Sequence, residues 1–231
     1  MYNELKNVLP EDHARQVNSK DVLQAYVANG LRPKSILDFG CGDGRSFDFF
    51  KQVLPDSSWC GVDIEISPEV KSRTRNDATF VTYNGETLPF DEGEFDLVYS
   101  NQVLEHVRNP DMAMKQVCKV LTSKGLFIGQ TSQFEPYHSF SLWNFTLYGF
   151  KTIVESAGMK LLELRPSIDG FTLMERSFKG RPKEYSKYFS EESPLNKEIE
   201  ESAILQNKSA RIINHRKLQY CGQFCFVIQK P

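Results

Sequence analysis

The chain has few histidines, an odd handful of cysteines and no excess of positive charge, and each shortage narrows what it does. Twenty-eight Lys and Arg stand against 30 Asp and Glu, a formal charge of −2. Nucleic-acid binders usually carry a strongly basic face, so no nucleic-acid partner is expected. No apolar run approaches the roughly 20 residues that cross a bilayer, and no membrane span is expected. Met1-Tyr2-Asn3-Glu4-Leu5 lacks a basic region followed by an apolar one, so no leader is expected. The five cysteines are scattered, which points to a reduced, cytoplasmic protein. Four histidines leave few candidate bases. There is no internal repeat and no low-complexity tract. With 231 residues, 40% of them hydrophobic, the chain fits one domain with an insertion.

What is present centres on Ser35–Gly44. Ile36, Leu37 and Phe39 have the composition of a buried strand end, and glycines alternate at 40, 42 and 44 after the acid Asp38. A helix is predicted from Arg45 to Leu54, closed by Pro55. Alternating glycines let a ligand approach the backbone with no Cβ in the way, and a helix start aims free N–H groups at it. A dinucleotide turn of the G-x-G-x-x-G type would need a third glycine where Arg45 stands. A carboxylate ahead of the first glycine repels phosphate and suits a cation.

The run Asp38-Phe39-Gly40-Cys41-Gly42-Asp43-Gly44 resembles the first motif of the class I S-adenosylmethionine-dependent methyltransferases. Later segments fit the same pattern. A second strand, 58–63, ends in Asp63, 23 residues beyond Gly40, which suits a carboxylate that holds a ribose. Glu65 competes for that role. A third strand, 79–82, runs into Tyr83-Asn84-Gly85-Glu86-Thr87-Leu88-Pro89-Phe90. A fourth, 95–99, leads to Asn101 and His106. A helix over 112–121, capped by Gly125, precedes a fifth strand, 126–129. The resemblance implies an α/β fold: a Rossmann-like, seven-stranded, mostly parallel sheet flanked by helices, with a helical insertion before the last strand. It implies S-adenosyl-L-methionine as cofactor. Asp38, Gly40 and Gly42 would lie at its methionine end, Asp63 at the ribose, and Ile64 against the adenine. Asn84, where the family usually has Asp, would accept from the adenine amine in a loop shared with Gly85 and Glu86. Asn101 would line the reaction centre.

The expected organisation is an N-terminal helical cover (1–34), a cofactor-binding core (35–165), an insertion serving as lid or homodimer contact (166–220) and a final core strand (221–231). Methyl transfer from a sulfonium needs in-line positioning, plus a base when the nucleophile is a hydroxyl. His138, among Phe134, Phe140, Trp143 and Phe145, is the first candidate base. His106 lies near the reaction centre by motif position, and His215 is an outside candidate. The aromatic cluster from 134 to 150 reads either as an acceptor wall or as a small core beneath the insertion. The Asn214-His215-Arg216-Lys217 run suits an anionic group. No metal is expected, because Cys221 and Cys225 fall on one strand face by simple alternation. The expected reaction is O-methylation of a small molecule, a sugar or glycan precursor first. The rivals are N- or C-methylation, a non-catalytic cofactor-binding protein and a dinucleotide-dependent dehydrogenase.

Overall fold

In a computed structural model, which describes residues 2–231, the elements follow the predicted alternation. The order is α1 (Tyr2–Leu5), α2 (Ser19–Ala28), β1 (Ser35–Phe39), α3 (Phe47–Val53), β2 (Ser58–Ile64), α4 (Pro68–Lys71), β3 (Thr79–Tyr83), β4 (Phe95–Asn101), α5 (Pro110–Val120), β5 (Leu121–Ser132), α6 (Leu147–Ser156), β6 (Lys160–Pro166), α7 (Gly170–Phe178), α8 (Pro194–Leu205), α9 (Ala210–Tyr220) and β7 (Gln223–Gln229). Short 3-10 turns follow α1, β4 and α7. The strands form one sheet in the order β3-β2-β1-β4-β5-β7-β6. The first five strands run parallel, and β7 pairs antiparallel with both β5 and β6. The order reverses between β1 and β4, which opens a crevice beyond the strand C-termini.

Alternation along the strands fills both faces of the sheet. Leu37, Phe39, Val98, Phe127 and Phe226 point to the layer containing Met114, Val117 and Val120 of α5 and Phe150 and Val154 of α6. Ile36, Leu97, Tyr99, Ile128 and Val227 point to the other layer, with Val22 and Leu23 of α2 and Phe47 and Phe50 of α3. The aromatic cluster expected between 134 and 150 divides. Phe145 and Phe150 are buried core, whereas Phe134, Tyr137, Phe140 and Trp143 are exposed.

Several boundaries differ from expectation for local reasons. The helix after the glycine turn begins at Phe47, because residues 42–46 are taken up by turns. Gly125 does not cap α5. The helix ends at Val120, and Gly125 lies inside β5 after Lys124, which has φ of 66°. The helical insertion expected before the last strand carries two successive helices, α8 and α9, broken at 206–209.

The insertion is tied to the N-terminal segment through buried polar contacts. The Gln16 amide donates to the carbonyls of Tyr188 (2.7 Å) and Glu191 (2.8 Å), and its oxygen accepts from Ser193 Oγ (2.8 Å) and Asn196 Nδ2 (2.7 Å). These contacts also correct the expected anion site at 214–217. Asn214 is buried and donates to the carbonyls of Pro10 and His13. Lys217 is buried, donating to the Ala14 carbonyl (2.8 Å) and pairing with Glu192 and Glu200. Arg216 binds Gln206, and the His215 ring packs edge-on against Tyr2 at 5.1 Å. The run is a structural lock on the N-terminus, and His215 is held away from the sheet crevice. Lys217→Met strands two glutamates that are only partly exposed. It should therefore lower stability by about 2–3 kcal/mol, measurable by urea denaturation.

Candidate functional site

The turn after β1 is held by β2. Gly40 N–H and Cys41 N–H both donate to the Val62 carbonyl, at 2.8 and 3.2 Å. Asp63, at the end of β2, accepts Gly42 N–H at 2.7 Å on one oxygen and its neighbour Ile64 N–H at 2.7 Å on the other. Gly40 and Gly42 have φ of +78° and +55°, a region costly for residues with a Cβ. From outside, the Arg73 guanidinium donates to the Gly42 carbonyl and lies 3.8 Å from the centre of the Phe80 ring. Sequence reasoning missed Arg73. It sits 31 residues from Gly42 with no motif around it.

Asp38 is buried at the end of β1, only 3% exposed, and accepts the Ser46 hydroxyl. Burial pushes its carboxyl up to about 7, against the opposing hydrogen bond from Ser46, with the Asp63 charge adding to the rise and Lys20 opposing it. The Lys20 ammonium lies over the Phe49 ring at 5.1 Å and acts electrostatically on Asp38. Burial also raises the Asp63 carboxyl, while the two backbone N–H groups oppose the rise. A buried acid thus lies ahead of a glycine cradle, and a second acid beside it retains free lone pairs.

The adenine end is more open. Ile64 is 37% exposed and faces Gly85 across the crevice. Asn84 departs from the expected role. Its side-chain oxygen already accepts the N–H groups of Glu86 and Thr87, both at 2.9 Å, and so holds the loop shape. Its amide NH₂ remains for a ligand, and a purine ring nitrogen suits that donor better than an amine does. Glu86 and Glu65 are exposed. Asn101, at the end of β4, accepts from Ser19 Oγ (2.9 Å), which also bonds Tyr99 Oη (2.7 Å). The first turn of α2 is thereby pinned onto the crevice, capped by Asn18 with a reciprocal bond from Asp21.

Beyond β4 the structure collects groups far apart in sequence. His106 and His138 stand ring to ring at 5.3 Å, nearly perpendicular. Glu105 is fully buried and accepts the Thr131 hydroxyl at 2.9 Å. Glu135, also buried, accepts the Ser132 hydroxyl and Gln223 Nε2 (2.8 Å), and lies 3.5 Å from His138 Nδ1. Between the two carboxylates sits Gln102, with φ of 57°. With its amide nitrogen turned toward them, it donates to Glu105 at 2.9 Å and Glu135 at 3.3 Å. Burial pushes Glu105 up to about 7 and lowers His106. Sequence reasoning found the two histidines but missed Gln102, Glu105, Glu135 and Gln223. The available signal was the polar run Gln130-Thr131-Ser132-Gln133 closing an otherwise apolar strand.

The site generates three expectations. A cationic ligand binds ionised Asp38, so affinity should fall about tenfold per pH unit below pH 7 and level off above it; calorimetry with S-adenosylmethionine across pH 5.5–8.5 checks this. The same raised acid makes the ligand-free chain lose stability as pH climbs from the unfolded value near 3.8 to 7, so Asp38→Asn should flatten that decline. Glycine substitutions separate packing from binding. A Cβ on Gly40 would stand 2.3 Å from Val103 Cγ2, so Gly40→Val reports on packing. A Cβ on Gly42 meets nothing nearer than Glu69 Cβ at 3.4 Å. Gly42→Ala should therefore fold, at a cost of about 1–2 kcal/mol, yet bind cofactor at least tenfold more weakly in the same calorimetry.

A family profile described as "Methyltransferase domain" matches residues 12–163. The chain is 27% identical over 105 residues to a malonyl-[acyl-carrier protein] O-methyltransferase of Legionella pneumophila, covering 44% of this chain and 37% of that one. It spans well under half the length of the first curated relatives it matches. Among solved structures, a 1,6-didemethyltoxoflavin-N1-methyltransferase of Burkholderia thailandensis, with bound 1,6-didemethyltoxoflavin and S-adenosylhomocysteine, superposes with a TM-score of 0.55. Its identity is 17%, over 92% of this chain and 76% of that one. An S-adenosylmethionine-dependent methyltransferase of Mesorhizobium loti gives 0.53 at 13% identity, over 99% and 96%. The fold and the profile match agree: the chain belongs to the methyltransferase-domain family and has a Rossmann-like fold.

Proposed function

We propose that this chain transfers the methyl group of S-adenosylmethionine to a hydroxyl of a small molecule. The observation that carries the reading is the adjacency of two sites on one sheet edge. The Asp38–Gly42–Asp63 cradle closes β1 and β2, and the His106–His138 pair stands beyond β4 and β5. When bound, the cofactor supplies an already activated methyl electrophile. The chain's own residues orient it: buried Asp38 faces the cationic end, Asp63 takes the ribose hydroxyls, and Ile64 with the Asn84–Glu86 loop flanks the adenine. On the acceptor side, His138 takes the hydroxyl proton, and Glu135 behind Nδ1 stabilises the imidazolium that forms. His106, held half-buried beside it, completes the polar edge.

The acceptor class is supported by the lip of the site. Phe134, Tyr137, Phe140 and Trp143 are exposed around His138, and such rings stack on flat or ring-shaped partners. A sugar or an aromatic metabolite fits that lip. The anionic group expected from Asn214–Lys217 loses its support, since Asn214 and Lys217 are buried and satisfied.

Thermal shift with S-adenosylmethionine, S-adenosylhomocysteine and NADH, followed by a methylation assay on sugars and phenols, tests the reading. Stabilisation by the two sulfur compounds and product with a hydroxyl acceptor are expected. A shift with NADH alone sinks it. His138→Ala should lower turnover about 10²- to 10⁴-fold while cofactor affinity holds. Unchanged turnover would remove His138 from the chemistry and favour an acceptor that needs no base.

A further inference from the structure

The edge beyond β4 buries two carboxylates that no Lys or Arg among the described residues offsets. Glu105 and Glu135 are both buried. Among the described residues neither has a Lys or Arg partner, and the ion pair at Glu135 is with His138 alone. Buried Lys217 and buried Arg165, by contrast, each have two acidic partners. Burying a carboxylate without a counter-charge is expensive, and here two lie against one glutamine.

The same place gathers donors of the kind that hold metals. One ligand atom from each of Glu105, His106 and His138 falls within 4.8 Å of the others. Donors around a single ion at about 2.1 Å stand about 3.0–3.5 Å apart in cis-octahedral or tetrahedral geometry. Closing the set is therefore a movement of under about 2 Å, and His138 sits in a loop outside the regular elements. The outer contacts also fit. Metal-bound imidazoles typically have their second nitrogen held by a carbonyl or carboxylate, and bound carboxylates are hydrogen-bonded in turn. His138 Nδ1 faces the Pro136 carbonyl at 3.3 Å and Glu135 at 3.5 Å, which leaves Nε2 without a partner among the described residues. The Phe140 carbonyl faces the His106 ring. Glu105 is oriented by Thr131 and Gln102.

We infer that Glu105, His106 and His138 form a binding site for a divalent cation of the Zn²⁺ or Mn²⁺ class, with open positions toward the crevice. Two imidazoles and one carboxylate suit that class, and the open positions take water or an acceptor oxygen. The site rests on the proposed function only for its use: an acceptor hydroxyl on the ion would be held in line with the cradle and polarised there. With the ion bound, His138 would be a ligand and no longer the free base, and the acceptor hydroxyl, made more acidic by the ion, would release its proton to solvent. The sequence alone points to no metal, because Glu105-His106 and His138 lie 32 residues apart and share no ligand-spacing motif.

Co²⁺ titration of the chelator-treated full chain, followed by visible absorption and calorimetry, tests the inference. The expected result is one equivalent bound, with the bands of nitrogen and oxygen ligation, and affinity at least about tenfold weaker in His138→Ala and in His106→Ala. His215→Ala, remote from the cluster, should bind as the parent does. No binding, a thiolate charge-transfer band, or full affinity in both cluster variants overturns the site. His138 is partly exposed in a loop, so its variant is expected to fold, and the parent titration needs no variant. S-adenosylhomocysteine thermal shift on the same samples separates the two readings. A cofactor shift without Co²⁺ binding removes the cation site and leaves the methyltransferase. Co²⁺ binding lost in the cluster variants, without a cofactor shift, supports the site and removes the methyltransferase.

Discussion

The Asp63 carboxylate accepting the N–H of Gly42 is the contact on which the cofactor side depends. It fastens the turn after β1 to the end of β2, so two strands that merely lie side by side become one cradle. The bond is charge-assisted and so among the stronger single hydrogen bonds, and it leaves Asp63 with lone pairs facing the crevice. The carbonyl of Val62 holds the preceding two N–H groups, and Arg73 draws the Gly42 carbonyl the other way. With its N–H and C=O both engaged, Gly42 has little freedom left. The cradle is therefore preorganised before any ligand arrives, which reduces the ordering cost of binding.

The cofactor side was legible in the sequence because it is built from local, ordered signals. An acid, alternating glycines and a second acid one β-α-β unit later each sit at a strand end, and a parallel sheet brings successive strand ends to one edge. The first five strands and the last were placed, since their apolar runs and breaks are short-range features. The misreadings had physical causes. Asn84 was assigned to the ligand on residue type, yet an amide two residues before free backbone N–H groups closes its own turn first. Asn214 and Lys217 looked like an exposed polar run, but the helix turns both inward against residues 10–14, and only long-range contacts reveal that.

The acceptor side was barely legible because it is a product of topology. Gln102 follows β4, Thr131 and Ser132 end β5, His138 sits in the next loop, and Gln223 opens β7, more than 80 residues further on. The insertion that separates Gln223 from the rest decides this assembly. By packing its Asn196 on Gln16 it returns the chain antiparallel beside β5, and Gln223 then reaches both Glu135 and Gln130. A shorter connection of the ordinary kind would need no such lock. The insertion is thus part of the wall behind the acceptor groups, in addition to whatever it does at the surface.

The two halves of the crevice share one electrostatic design. Each buries a carboxylate, Asp38 near the end of β1 and Glu105 in the turn after β4, and burial lifts both toward neutral pH. A pair of buried acids so placed is unfavourable in the empty protein and favourable once positive charge enters. In the proposed reaction the sulfonium would bring that charge to the cofactor side and the neutral product thioether would not, so Asp38 would hold the substrate form of the cofactor more tightly than the spent one and favour release after transfer.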